Sequence, residues 1–293
     1  MTEDEINHEL TERKFYPAEQ EAVFAESHAR LTPQQQDPAY RLAFRDIDFL
    51  LREELRPVRF QLELLKPEML LDEAEIGSTL VVYGSARIPS PADAKAAVAA
   101  ATSPERKAVA ERLAAKARYY EEARKLGFIA SKCAVVEDGK RQFVICSGGG
   151  PSIMEAANRG AHDAGADTIG LNIVLQHEQM PNPYVTPHLS FQFHYFALRK
   201  MHFLLRARAV AVFPGGFGTF DEFFELLTLV QTGKMQPIPI LLFGAEYWNR
   251  VINFAALAEE GVINPEDLKL FHMVETAEEA WAFIVGFYNL GCD

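Results

Sequence analysis

The sequence predicts an α/β protein in which a mostly parallel β-sheet carries helices on both of its faces. Short apolar runs recur from Thr79 onwards, and segments of helical length separate them. Two of these runs end in glycine-rich turns, each of which leads directly into a helical segment. The length of 293 residues allows one large core, or one core with a small extra lobe. Because strands that alternate with helices form doubly wound sheets, we expect a Rossmann-like fold.

The first part of the chain has a different composition. Residues 1–75 are rich in Glu, Gln and Arg, show helical spacing between Tyr40 and Leu55, and contain no glycine-rich turn. We predict that they form a helical extension, and that residues 76–293 form the Rossmann-like domain. A solvated arm or an oligomer contact explains the extension at least as well as a catalytic role does.

The elements of the second part follow in a regular order. Thr79–Tyr83 is an apolar run that Gly84 and Ser85 stop, as expected for a buried parallel strand. Residues 90–103 are rich in Ala and Pro and predict an insertion, followed by a long helix over 104–126 that Gly127 ends. The later strands are predicted at 142–146, 168–174, 209–213 and 238–243. The later helices are predicted at 151–164, 198–208 and 219–232, and the C-terminal stretch supplies two or three more.

Two glycine-rich turns are the most informative features of the sequence. The first glycine turn is Ser147–Gly150, and the second glycine turn is Pro214–Thr219. Glycines let the backbone approach a ligand closely, and the N-terminus of the following helix favours a phosphate. Ile153 stands where a dinucleotide fingerprint needs its third glycine, and no P-loop sequence is present. A plain tight connection explains one such turn, but two in one sheet favour phosphate binding.

Two glutamates follow these turns at a spacing that has two interpretations. Thr219-x-x-Glu222 and Ser152-x-x-Glu155 both have the spacing of a capping box, in which the glutamate only caps its helix. Alternatively, the carboxylate of Glu222 lies within reach of a sugar whose phosphate the turn binds. There it would stabilise a developing ribosyl cation or orient a water molecule.

A basic helix precedes the second glycine turn. Arg199, His202 and Arg206 fall on one helical face by their spacing. That face is either a cationic wall for the ligand or an ordinary solvated surface.

Composition excludes several classes of function. The formal net charge of −12 disfavours a nucleic-acid partner, although backbone N–H groups can still hold a small anion. Three widely spaced cysteines are typical of reduced thiols, and no histidine motif has metal-ligand spacing. The acidic N-terminus does not resemble a secretory signal, and no apolar run is long enough to span a bilayer. We therefore expect a cytoplasmic protein with no cofactor, no metal and no membrane partner.

The motifs together resemble the Lonely Guy (LOG) family, whose characterised members are cytokinin riboside 5′-monophosphate phosphoribohydrolases. The family signature P-G-G-x-G-T-x-x-E is intact from Pro214 to Glu222, and an Arg-Lys pair precedes it as Arg199-Lys200. The segments Ser147–Glu155 and Tyr83–Arg87 resemble two further family elements, in the same order. The resemblance covers about residues 78–245.

This resemblance implies an activity and a set of site residues. Arg199 and Glu222 would be the catalytic pair, and water would attack C1′ of a purine nucleoside 5′-monophosphate, AMP or an N6-substituted AMP, to release the base and ribose 5-phosphate. Residues 76–293 would then be a nucleotide-binding catalytic domain, and a homodimer or larger homo-oligomer is expected. The implied substrate-binding residues are Gly84, Ser85, Gly148, Gly149, Gly150, Glu155, Arg206, Gly215, Gly216, Gly218 and Thr219.

The sequence also departs from the family pattern. Ser152 stands where many relatives have glycine, and both the N-terminal extension and the Ala/Pro insertion lie outside the compact family core. The main alternative is a non-catalytic nucleotide-binding or carrier protein on the same fold. Such a protein would need the glycines but not the carboxylate of Glu222.

Overall fold

The structure is a computed structural model that describes residues 15–27, 32–133, 135–175 and 180–291. The chain divides into two compact units, Met1–Leu62 and Glu63–Asp293. The boundary between these units falls inside a helix, α4 (Arg56–Glu73).

The described residues of the first unit form short helices, as predicted for this part of the chain. Asp46 caps one of them, because its Oδ1 accepts a hydrogen bond of 3.2 Å from the backbone N–H of Phe49. The helices are α1 (Ala18–Ser27), α2 (Pro33–Gln36), α3 (Ile47–Leu50) and the first part of α4, with 3₁₀ turns at Pro38–Tyr40, Ala43–Arg45 and Glu53–Leu55.

The second unit contains a seven-stranded sheet in which all neighbouring strands are parallel. Its strands are β1 (Thr79–Tyr83), β4 (Val144–Ser147), β5 (Ile169–Ile173), β6 (Ser190–Phe193), β7 (Ala207–Val212), β8 (Ile240–Phe243) and β9 (His272–Val274). Two shorter strands, β2 (Val136–Glu137) and β3 (Lys140–Arg141), form a separate antiparallel pair. The predicted fold class is confirmed, while the two edge strands of the sheet, β6 and β9, were not among the predicted strands.

The strand order β6-β5-β4-β1-β7-β8-β9 determines where a ligand can bind. From β1 the chain adds strands on one side of the sheet as far as β6, and then returns to add β7, β8 and β9 on the other side. The order therefore reverses between β1 and β7. In open α/β sheets, ligands bind outside the carboxyl ends of the strands at such a switch point.

Helices cover both faces of this sheet. They are α5 (Pro91–Ala100), α6 (Pro104–Ala114), α7 (Arg118–Cys133), α8 (Ile153–Asp163), α9 (Phe196–Leu205), α10 (Phe217–Gln231), α11 (Ala245–Val251), α12 (Phe254–Glu259) and α13 (Ala277–Tyr288). Alternate side chains of β1 serve the two faces: Leu80 and Val82 belong to the core that α7, α8 and α13 complete. Tyr83 makes an edge contact with Phe203 of α9 at a ring distance of 5.2 Å.

The prediction of one long helix over 104–126 is wrong. The Ala/Pro-rich segment is itself helical, because Ser90 caps α5 and Ser103 caps α6. The chain then breaks after Ala114 and resumes as α7, which passes through Gly127 instead of ending there. Gly127 lies at the contact with α8, where a Cβ would overlap the carbonyl oxygen of Ala157. The glycine therefore permits close helix packing and is not a stop signal.

The expectation of reduced thiols is only partly correct. Cys146 in β4 is a free, buried thiol. Cys133, the last residue of α7, is disulfide-bonded, so the expectation is wrong there. Within the described ranges, none of the helices combines the length and apolarity needed to cross a membrane.

Candidate active site

A cavity of about 910 Å³ opens at the carboxyl ends of the central strands. The turn after β1, the two glycine turns and the end of β5 contribute to its wall, together with side chains from α9, α10 and α11. The cavity thus lies at the switch point of the sheet, and its size is sufficient for a nucleotide-sized ligand.

The turn after β1 connects the two glycine turns. The backbone N–H of Ser85 donates to the carbonyl of Pro214 at 3.1 Å, and the carbonyl of Ser85 accepts from the N–H of Ile153 at 3.3 Å. Gly84 is required beside it, because a Cβ there would overlap the side chain of Ile153. The three strand ends therefore form one bonded unit.

The second glycine turn ends in an open helix N-terminus. Helix α10 begins at Phe217, with Gly216 as its N-cap, and no described side chain caps it. The first hydrogen bond of the helix runs from the N–H of Phe220 to the carbonyl of Gly216, at 3.0 Å. The N–H groups of Phe217, Gly218 and Thr219 therefore have no partner within the helix, and these residues line the cavity. Such an N-terminus attracts an anion.

Both predicted capping boxes are wrong. Because α10 begins at Phe217, Thr219 lies inside the helix, and Glu222 lies too far along it to reach the cap. At α8, the hydroxyl of Ser152 donates to the carbonyl of Ile88 instead of capping the helix. Glu155 accepts a hydrogen bond of 2.8 Å from the hydroxyl of Tyr120. The carboxylate of Glu222 is therefore not used as a helix cap.

Glu222 instead faces Arg199 in the wall of the cavity. The Nη1 atom of Arg199 lies 3.4 Å from Oε1 of Glu222, and the two side chains are 11% and 14% exposed. Arg199 is held in place by a hydrogen bond of 2.6 Å from its Nε to the carbonyl of Leu171, and by the ring of Phe203 below its guanidinium. At Gly148 a Cβ would lie 2.5 Å from Nη2 of Arg199, so this glycine leaves room for the guanidinium.

Burial changes the proton affinity of this pair. It raises the pKa of Glu222 to about 7, although the positive charge of Arg199 lowers that pKa in part. Burial also lowers the pKa of Arg199, and the charge of Glu222 partly offsets this effect. A carboxyl group with a pKa near neutrality can both accept and release a proton at physiological pH.

The first glycine turn is held from behind by buried polar side chains. Ser147 Oγ accepts from the N–H of Gly149 at 3.0 Å and donates to Oδ1 of Asn158 at 2.7 Å. Nδ2 of Asn182 donates to the carbonyl of Gly150 at 3.0 Å. Gly148 lines the cavity, whereas Gly149 and Gly150 lie among these supporting groups.

The basic face of α9 does not form a cationic wall. Arg206 Nη2 lies 2.9 Å from Oε2 of Glu68, and its Nη1 lies 3.3 Å from Oδ1 of Asp72, both on α4. His202 Nε2 lies 3.1 Å from the carbonyl of Glu63. This part of the prediction is wrong because the face packs against α4, and only Arg199 is directed into the cavity.

The structure thus groups the predicted site residues in two sets. Nine of them line the cavity: Arg199, Glu222, Gly84, Ser85, Gly148, Gly215, Gly216, Gly218 and Thr219. The other four support it or lie elsewhere: Gly149, Gly150, Glu155 and Arg206. Sequence reasoning did not single out Lys116, Asn172 and Tyr247, which also line it. Asn172 had a signal, as a lone amide in an apolar run, but Lys116 comes from the break after α6 that was not predicted. No group of three or more His, Cys, Asp or Glu in the described part of the chain is arranged to hold a metal ion.

Comparison with known proteins shows a distant similarity to one family. A family model described as "possible lysine decarboxylase" matches residues 154–284. The cytokinin riboside 5′-monophosphate phosphoribohydrolase LOG3 of Arabidopsis thaliana is 26% identical over 140 residues, which are 46% of this chain and 63% of that protein. The chain therefore spans less than two thirds of the length of this curated relative.

Two solved structures are also similar to this chain. A structural-genomics target, TM1055, is 20% identical, with 71% of this chain and 99% of that chain covered and a TM-score of 0.45. The molybdenum cofactor carrier protein of Chlamydomonas reinhardtii is 17% identical, with 73% and 99% covered and a TM-score of 0.41. Over the residues matched by the family model, which include both Arg199 and Glu222, this chain is distantly similar to the LOG/lysine decarboxylase-like family.

Proposed function

We propose that this protein hydrolyses the N-glycosidic bond of a purine nucleoside 5′-monophosphate and releases the free base and ribose 5-phosphate. The observation that carries the proposal is the buried Arg199–Glu222 pair, which lines the same cavity as the open N-terminus of α10. The open helix N-terminus suits a phosphate, and the Arg199–Glu222 pair suits the glycosidic bond to be broken.

The spacing along α10 matches the dimensions of the substrate. Glu222 lies five residues after Phe217, which corresponds to a rise of about 7.5 Å along an α-helix. A 5′-phosphate at the helix N-terminus would therefore direct the sugar along the helix, with C1′ near the carboxyl group. Tyr247 stabilises the phosphate end, because its hydroxyl donates to the carbonyl of Gly215.

The carboxyl group of Glu222 has the properties that this reaction needs. As the glycosidic bond breaks, its electron pair goes to the base, and positive charge develops on the sugar. The base becomes neutral when it takes up the proton that the attacking water gives to Glu222. An ionised carboxylate at that position stabilises the charge and accepts a proton from the attacking water. A pKa of about 7 lets Glu222 do this at neutral pH, while Arg199 holds the carboxylate in one orientation.

The comparisons support the proposed type of reaction. The curated relatives are named as phosphoribohydrolases, and the residues matched by the family model include Arg199 and Glu222. We extend to this chain the expectation of a homodimer or larger homo-oligomer, which light scattering after size-exclusion chromatography would test.

The test is the release of free base, followed by chromatography, from AMP, isopentenyl-AMP, GMP, CMP and adenosine. We expect release from a purine monophosphate but not from adenosine, because the open end of α10 recognises the phosphate. E222Q should lower kcat at least about 100-fold while AMP still binds, and R199A should lower kcat/KM at least about tenfold.

E225Q is the matched control, because Glu225 is on the same helix but pairs with Lys200 at 3.0 Å, outside the cavity. Its turnover should equal that of the wild type. Turnover by E222Q at the wild-type rate would refute the mechanism. Binding of AMP without release of base from any substrate would refute hydrolysis and favour a nucleotide-binding or carrier role.

A further inference from the structure

Asn172 on β5 is a polar residue of the cavity wall that the proposed reaction does not use. It is 7% exposed and lines the cavity between the apolar residues Leu171 and Ile173. Its Oδ1 atom is buried and has no hydrogen-bond partner among the described residues. That atom lies against the backbone of Gly149, where a Cβ would come within 2.2 Å of it, so the Nδ2 group is the part of the amide left to meet a ligand in the cavity.

The other buried asparagines near the cavity differ from Asn172 in this respect. Asn158 donates to Thr168 Oγ1 at 2.6 Å and accepts from Ser147 at 2.7 Å. Asn182 donates to Asn158 Oδ1 at 2.9 Å and accepts from the N–H of Tyr184 at 3.2 Å. The amides that only support the first glycine turn have hydrogen-bond partners, whereas the amide oxygen of Asn172, in the wall of the cavity, has none among the described residues.

Asn172 lies next to the Arg199–Glu222 pair. A Cβ at Gly149 would meet the amide of Asn172, just as a Cβ at Gly148 would meet the guanidinium of Arg199. The two side chains therefore cover consecutive residues of the same turn. In addition, Arg199 Nε donates to the carbonyl of Leu171, the residue before Asn172.

We propose that Asn172 binds a hydroxyl of the ribose and makes the site selective for ribonucleotides over deoxyribonucleotides. This inference rests on the proposed function, which places C1′ of the sugar beside Glu222. The hydroxyl on C2′ is attached to the neighbouring carbon. The oxygen of that hydroxyl can accept a hydrogen bond from the Nδ2 group of Asn172. The base suits the exposed apolar part of the cavity wall instead, at Leu175, Phe196 and Phe217.

The test compares binding of ribose 5-phosphate and 2-deoxyribose 5-phosphate by calorimetry. Neither probe contains a glycosidic bond to a base, so neither is consumed. The wild type should bind ribose 5-phosphate at least about tenfold more tightly, because a site built for a hydroxyl rejects the analogue that lacks it. N172A should bring the ratio of the two affinities close to one by weakening the binding of ribose 5-phosphate. The matched control is Q192A, because Gln192 is an exposed residue of β6 that stands opposite Asn172 in the register of β5 and β6.

Two results would overturn the inference. One is a wild-type ratio close to one, which needs no variant, and the other is an N172A ratio equal to that of the wild type. N172V is a second variant whose apolar side chain suits a strand, and it should lose selectivity as N172A does while keeping the wild-type circular dichroism spectrum. Selective binding without release of base from any nucleotide would refute the proposed hydrolysis but leave the role of Asn172 standing.

Discussion

The buried carboxyl group of Glu222 makes protein stability depend on pH in a direction that can be measured without a substrate. Burial raises its pKa from the ordinary 4.5 to about 7. Between these two values the folded protein keeps a proton that the unfolded chain has released. Stability from this group is therefore fully present below pH 4.5 and is lost as pH rises through the folded pKa near 7.

The size of the effect follows from the same two values. Each pKa unit corresponds to about 1.4 kcal/mol, so the difference between 4.5 and about 7 corresponds to about 3 kcal/mol. From about pH 5 to about pH 8, the accessible part of this change is roughly 2.5 kcal/mol. Because the side chain is only 14% exposed, solvent screening reduces the effect little.

The assay is urea unfolding, followed by circular dichroism, of the wild type, E222Q and E225Q at several pH values. We expect the free energy of unfolding of the wild type, relative to that of E222Q, to fall by roughly 2.5 kcal/mol between about pH 5 and about pH 8. E225Q is the control: it shows how far a glutamate-to-glutamine change outside the cavity alters the pH dependence of the free energy of unfolding. The change caused by E222Q should be larger.

A flat or rising difference would refute this reasoning. It would mean that the contact of 3.4 Å with Arg199 stabilises the ionised carboxylate by more than burial destabilises it. Glu222 would then be a permanent anion that stabilises positive charge on the sugar, without taking up a proton near neutral pH.

Two further predictions concern glycines. G148A places a Cβ 2.5 Å from Nη2 of Arg199, so kcat/KM should fall at least about tenfold while circular dichroism stays unchanged; wild-type turnover would show that the guanidinium need not lie there. G127A forces α7 away from α8 and should cost about 1–3 kcal/mol in urea unfolding, whereas G286A, in α13 with open space around it, should be neutral or stabilising. Equal effects of these two substitutions would contradict the packing argument.

The sequence correctly predicted the features that depend on local pattern. Apolar runs separated by helical segments predicted the parallel sheet, because a strand buried on both faces must be apolar throughout. The two glycine turns were recognisable because each stands between such a run and a helix. Their meeting at one edge followed from parallel strands, whose carboxyl ends lie on the same side.

Errors arose where contacts distant in sequence determine the local structure. The spacing Thr219-x-x-Glu222 suggested a cap, but α10 begins earlier, at Phe217. Similarly, the spacing of Arg199, His202 and Arg206 predicted a shared helical face, but α9 ends at Leu205. His202 and Arg206 contact α4, whereas Arg199 lines the cavity.

The sequence by itself determined the class of fold and the place of the second glycine turn between a strand and a helix, since both depend on residues that are neighbours in the chain. Only the tertiary structure decided that Glu222 faces Arg199, that Arg206 is paired with α4, and that Asn172 lies unpaired in the cavity wall. These facts depend on which side chains meet after the strands and helices pack. The pKa of a carboxyl group and the unmet hydrogen bond of an amide are likewise set by burial, which no local pattern specifies.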